Sequence, residues 1–234
     1  MTRILALLAG LTLIMSMAAT ANALTLTVSN NGTTWQTIID NGLGDTDSNI
    51  GSISYTNTTL SGFSLVKVAA ASLTTLNGGT LYTNSFQASG APGIVYIKLS
   101  DLYNLTWPVV GGATTKTGLT LQNVGAIADL KTYFGSALLD TANLIADVSL
   151  TSPGYIGQST SIPTLENPFS LTEFLTIDNL SGVSSQVTAS LEVTPVPEPG
   201  TMMLLGAGLL CLVIAAKRRM TSNPRVTECG VVAI

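Results

Sequence analysis

The densest set of groups able to do chemistry is Asp40-Asn41-Gly42-Leu43-Gly44-Asp45-Thr46-Asp47, three carboxylates separated by small residues. Calcium takes oxygen ligands from a tightly turning loop, and glycines allow such a turn. Asp40, Asp45 and Asp47 are the candidate ligands, Asn41 and Asn49 could add carbonyl oxygens, and calcium is the one cofactor the residues suggest. The spacing departs from the EF-hand pattern, and a surface loop between strands has the same composition. Glu166 and Glu173 flank Pro168 and could form a glycosidase pair, but their turn-then-strand setting predicts solvated side chains. Trp35, Trp107, Tyr96 and Tyr103 are candidates for a sugar-stacking platform, with packing in a sheet core as the alternative. The chain has no histidine, so a Ser-His-Asp triad, a Cys-His pair and a His-ligated metal are all excluded. No Ser-x-x-Lys spacing occurs with its supporting motifs. No catalytic residue is assigned, and the chain is not expected to be an enzyme.

The elements that must position these groups fall into three regions. Mean hydropathy is +0.46 although aromatics are 6% and charged residues 9% of the 234 residues, and the two ends explain it. Met1-Thr2-Arg3 precedes an apolar run over residues 4–17 and then Ala21-Asn22-Ala23. This is the order of a secretory signal, with Ala21 and Ala23 at the positions a signal peptidase reads and the cut after Ala23. Residues 201–216 form a second apolar run, followed at once by Lys217-Arg218-Arg219. Sixteen helical residues rise about 24 Å, a little short of the hydrocarbon core, and snorkelling of the basic cluster covers the difference. The cluster acts as a stop-transfer signal and stays cytoplasmic, which leaves residues 24–199 outside the inner membrane.

Residues 24–195 contain four lysines, no arginine and eleven acidic residues, a net charge of −7. Nucleic acid is excluded as a partner, because the cations that displace phosphate counterions are missing. Both cysteines, Cys211 and Cys229, lie beyond this region, so an exported domain here folds on its core alone. Short β-rich runs recur between turn signals at 24–28, 50–56, 63–68, 80–86, 93–99, 105–110, 119–123, 170–177 and 185–193. Pro108 makes the 105–110 run an edge or irregular strand. Asn77-Gly78-Gly79 signals a hairpin, and Asp178-Asn179-Leu180-Ser181-Gly182 suggests a closing hairpin between the last two strands. Residues 124–134 and 137–146 fit helix or strand, the second mildly favouring helix. The fold class expected is all-β, an antiparallel β-sandwich ectodomain, plus the N-terminal signal peptide and one C-terminal transmembrane helix. Thr194-Pro195-Val196-Pro197 reads as a stiff linker leading out of it.

Val196-Pro197-Glu198-Pro199-Gly200, the apolar run 201–216 and Lys217-Arg218-Arg219, in that order behind a signal peptide, resemble the PEP-CTERM sorting signal of Gram-negative surface proteins. The same tail is also labelled the C-terminal domain of ice-binding proteins, a label that describes the tail alone. The resemblance implies a substrate of exosortase, a membrane-embedded cysteine transpeptidase of cells that make exopolysaccharide. It implies export, transient anchoring in the inner membrane, cleavage near Pro197, Glu198 and Pro199, and release or attachment at the cell surface. The organisation is then a signal peptide at 1–23, a β domain at 24–195, the sorting signal at 196–219 and a cytoplasmic tail at 220–234. Tails of this family end soon after the basic cluster, whereas this one continues for fifteen residues. The role expected is structural, at the surface or in the extracellular matrix, with exopolysaccharide as a partner; a carbohydrate- or calcium-dependent adhesin is the alternative.

Overall fold

The computed structural model describes residues 24–58, 60, 62–75, 78–104, 112–164, 168–180, 182, 184–196 and 199–221. Its elements are β1 (Thr25–Ser29), β2 (Gln36–Ile39), β3 (Ser52–Asn57), β4 (Phe63–Thr75), β5 (Gly78–Gly90), β6 (Gly93–Tyr103), β7 (Ala113–Leu121), β8 (Ala126–Gly135), β9 (Asn143–Leu150), β10 (Gly154–Ile162), β11 (Phe169–Asn179), β12 (Ser185–Pro195) and α1 (Pro199–Thr221). The strands form two six-stranded sheets. Sheet I has the order β2-β1-β6-β11-β8-β9 and sheet II the order β10-β7-β12-β5-β4-β3. Their pairing is antiparallel throughout. From β5 onward the chain changes sheet at every connection except β8 to β9, so the sandwich is stitched from both sides.

Period-two alternation drives this arrangement. In β6, Val95, Ile97 and Leu99 face inward and are buried while Tyr96 and Lys98 face out. In β8, Ala126, Ala128 and Leu130 do the same, which settles the ambiguous 124–134 stretch as a strand. The 137–146 stretch is a turn followed by the start of β9. Leu26, Val28, Leu171, Leu175 and Ile177 of sheet I meet Ile53, Val66, Val68, Leu81, Phe86, Leu119 and Leu191 of sheet II in one core. Each such side chain contributes about 1.5–3 kcal/mol of burial.

Several expectations are corrected. There are twelve strands among the described residues, and the 105–110 run lies outside them. The 119–123 run is only the end of β7, whose Thr-rich first half begins at Ala113. β11 and β12 form no closing hairpin, because β11 pairs with β6 and β8 in sheet I while β12 pairs with β5 and β7 in sheet II. The turn between them is a crossover: Gly182 sits at φ 68° against the backbone of Gly90 and the ring of Pro92, the turn by which β5 crosses to β6. Thr194 and Pro195 close β12 opposite Thr114 and Ala113 rather than forming a linker. The C-terminal helix forms, but no helix among the described residues is long and apolar enough to cross a membrane. The chain divides into two compact units, Met1–Val196 and Pro197–Ile234.

The largest departure is Glu173, expected in solvent but 1% exposed between the sheets. It follows Thr172, whose side chain points outward to Ser100, so alternation turns Glu173 inward opposite Leu99 and Thr132. Its Oε2 accepts from Thr83 Oγ1 at 2.9 Å, and the Thr83 N–H also bonds to the carboxyl. That N–H is available because β5 is bulged there, with its register against β4 and β12 shifting beside Thr83. Its Oε1 has no hydrogen-bond partner among the described residues. Burial pushes the carboxyl up to about 8. Asp101, at one end of the same inner face, is also raised by burial, against hydrogen bonds from Ser72 Oγ and the Leu102 N–H.

A carboxyl at about 4.5 unfolded and about 8 folded keeps its proton in the fold after the unfolded chain has lost it. Stability therefore falls as pH rises from about 4.5 to 8, Glu173 alone contributing on the order of 1 kcal/mol per pH unit. Asp101 acts in the same direction. Chemical denaturation at pH 5, 6.5 and 8 should show this fall, and Glu173→Gln should remove most of it. An unchanged slope in Glu173→Gln contradicts the assignment.

Candidate functional site

The acidic loop is folded by its own carboxylates. Asp45 Oδ1 accepts from the N–H groups of Asp47 and Ser54, each at 2.9 Å, and Oδ2 from the Asn41 N–H at 3.0 Å. Asp47 Oδ1 accepts from the Asn49 N–H and Nδ2, and Oδ2 from Ser52 Oγ at 2.7 Å. The Ser52 hydrogen bond is the main reason the Asp47 carboxyl lies below its usual range. Asp40 Oδ2 accepts from the Gly51 N–H at 2.7 Å, and Oδ1 from Asn41 Nδ2. Gly51, at φ 80°, passes its carbonyl on to the Ser72 N–H, which ties the loop to β4. All six oxygens of the expected calcium ligands thus accept hydrogen bonds within the loop and β3. Among the described residues no three His, Cys, Asp or Glu side chains are gathered so as to hold a metal.

The aromatic candidates separate. Tyr103 is fully buried, stacked on Phe169 at 5.4 Å and hydrogen-bonded to the Thr80 carbonyl, so it belongs to the core. Gly79 is required beneath it, since a Cβ there would run into the ring. Trp107 and Glu166 lie outside the described residues. Trp35 and Tyr96 do meet, on the outer face of sheet I, through Phe174. Trp35 makes an edge contact with Phe174 at 6.2 Å, and Tyr96 lies 6.4 Å from the same ring. Lys98 Nζ is 4.7 Å from the Trp35 centroid and 5.2 Å from that of Phe174.

Register builds this patch. Thr27, Lys98, Phe174, Lys131 and Asp147 stand in one row across β1, β6, β11, β8 and β9. Ser29 Oγ accepts from the Asn31 and Gly32 N–H groups, closing the turn that carries Trp35 back over the sheet. This cover explains why β1 is buried on both faces, including Thr27 at 3% exposure, where sequence alternation implied one open face. The rings of Trp35, Tyr96 and Phe174 and the Lys98 stem are half-buried. Lys131 is paired to Asp147 at 3.2 Å, whereas Lys98 has no carboxylate partner among the described residues. The patch can stack against an apolar ring face and donate hydrogen bonds from an ammonium. Phe174 and Lys98 were missed in sequence, although the outward positions of the alternating 93–99 run carry the signal for Lys98.

In the tail, Val196 is half exposed and gives its N–H to the Gly112 carbonyl, the last bond of the sandwich edge. Pro197 and Glu198 lie outside the described residues, as do Ala21 and Ala23. Pro199 opens α1, a position where its missing N–H costs nothing. Lys217, Arg218 and Arg219 fall in the last turns of α1, where cations suit the helix dipole. Leu204, Leu205, Leu209, Leu210, Leu212, Val213 and Ile214 are all exposed and point to every side of the helix.

Asp45→Ala strands three N–H donors of a partly exposed loop and should cost about 1–3 kcal/mol by urea denaturation. Calcium should leave the melting temperature of the unaltered protein unchanged; a calcium-dependent rise would mean that the loop reopens to bind the ion.

No curated protein matches the chain. Among solved structures it is similar to TmCBM61 in complex with beta-1,4-galactotriose, at 11% identity over 54% of this chain and 78% of that chain, with a TM-score of 0.24. Residues 195–219 match the PEP-CTERM protein-sorting motif. The chain thus carries the PEP-CTERM protein-sorting motif at residues 195–219, which joins the end of β12 to a helix that closes on a basic cluster and implies exosortase processing and export to the cell envelope or surface.

Proposed function

We propose that the protein is an exosortase-processed structural component of the cell surface or extracellular matrix, released from a transient membrane handle. The observation that carries this reading is the sorting motif at 195–219 directly after a self-contained β unit. A helix apolar on every side is normally buried or in lipid, and the side chains of α1 from Leu204 to Ile214 are exposed. The whole apolar run of residues 201–216 with its basic end supports a stay in the inner membrane before cleavage. Two prolines at 197 and 199 remove backbone donors, a sequence feature that disfavours pairing in a sheet and suits a site that a processing enzyme must reach. At the other end, Leu24, the residue after the expected signal cut, is fully buried and accepts from the Asp40 N–H. A cut after Ala23 therefore spares the fold.

Replacing Pro197, Glu198 and Pro199 together with alanine should hold the protein in the inner-membrane fraction while the unaltered chain reaches the surface. Equal surface yields would contradict exosortase handling.

A second reading, carbohydrate binding, is favoured by the Trp35, Tyr96, Phe174 and Lys98 patch. On a glycan array, Trp35→Ala and Phe174→Ala should each weaken binding about tenfold, about 1.4 kcal/mol. A chelator should have no effect, because the acidic loop already uses its carboxylates. Absence of any bound glycan contradicts this second reading and leaves the first intact.

A further inference from the structure

We propose that β10 is a docking edge for a second copy of this chain, pairing antiparallel about a two-fold axis at Gln158. An edge strand exposes unpaired N–H and C=O groups, and folded proteins blunt such edges with charge, proline, bulges or short length. Three of the four sheet edges here are blunted or short. β2 has four residues and β3 six. β9 is irregular against β8 between Thr132 and Tyr133 and carries the ion-paired Asp147. β10 differs in every respect. It runs nine residues, Gly154–Ile162, in unbroken register with β7, and contains no charged residue and no proline. Only Ile162 is buried.

Among the described residues the outer surface of β10 also leaves the edge clear. Gly157 and Gly118 stand opposite each other, and the Tyr155 ring folds back over both. A Cβ on Gly157 would lie 2.5 Å from Tyr155 Oη, and one on Gly118 3.4 Å from the ring. Tyr155 is thus 71% exposed without projecting past the strand.

Self-complementarity points to a second copy as the occupant. Antiparallel pairing about Gln158 sets Tyr155 against Ser161, Ile156 against Thr160, Gly157 against Ser159, and Gln158 against its own equivalent. No like charges meet, and the two Gln158 amides can exchange hydrogen bonds. Residues 24–195 carry a net charge of −7, so two copies repel at long range. An uncharged edge is where they can approach, and salt, by screening that repulsion, strengthens the contact. A two-fold pairing of this kind joins two sheets II into one continuous sheet.

The test uses the full chain in mild detergent, with Cys211→Ser and Cys229→Ser to remove its own thiols. In the proposed pairing the two residues at 158 face each other at about 4.5–5.5 Å between Cα atoms, within disulfide reach. Gln158→Cys should therefore give a disulfide-linked dimer under mild oxidation, doubling the apparent mass on a non-reducing gel. Thr56→Cys on β3, the opposite edge of sheet II, should stay monomeric, and added salt should raise the Gln158→Cys dimer yield. Equal yields from the two variants would show association through the tail helix or at random. Absence of dimer in both would show that β10 meets no second copy. Either result overturns the proposal.

Discussion

Two sheet faces pressed together, with no disulfide between them, hold this domain. Everything else rests on that contact, because the region 24–195 has no cysteine and little charge to supplement it. Leucine, isoleucine and valine from both sheets fill most of the interface. Polar groups bridge it at chosen points: Glu173 to Thr83, Thr117 to Thr132 at 3.1 Å, and Ser72 to Asp101 and Tyr103. A buried hydrogen bond adds little net stability, but it fixes which residue of one sheet faces which residue of the other. Glu173 does this at a cost that rises as it approaches ionisation.

The architecture was legible wherever alternation was local. Ile94-Val95-Tyr96-Ile97-Lys98-Leu99 announces a strand with Val95, Ile97 and Leu99 inward, and β6 has that form. Partnership across long separations was not legible. The turn signal after Asp178 is real, yet whether it closes a hairpin or crosses between sheets depends on Gly182 meeting Gly90 and Pro92. Nothing near Glu173 reveals Thr83, ninety residues earlier, or the bulge that turns the Thr83 N–H inward.

The candidate sites show the same division. Asp, Asn and Gly in the 40–51 loop serve a turn and a cation equally well in sequence, and in the fold the six oxygens of Asp40, Asp45 and Asp47 accept hydrogen bonds from the loop and β3. Of the four rings singled out for sugar stacking, Trp35 and Tyr96 come together only because Phe174, from a strand far along the chain, stands between them. The sorting motif was readable because it is a local signal, one contiguous stretch of sequence followed by an apolar run rather than an assembled surface.

Location is the part of the function that the residues argue most directly: described strands that run from a buried Leu24 to Val196 are followed at once by the sorting motif and its hydrophobic helix. Intact-mass measurement of the protein recovered from the surface of producing cells tests this most directly. The account requires a species that starts at Leu24 and lacks residues 201–216. A surface species whose mass still includes that apolar run would contradict it.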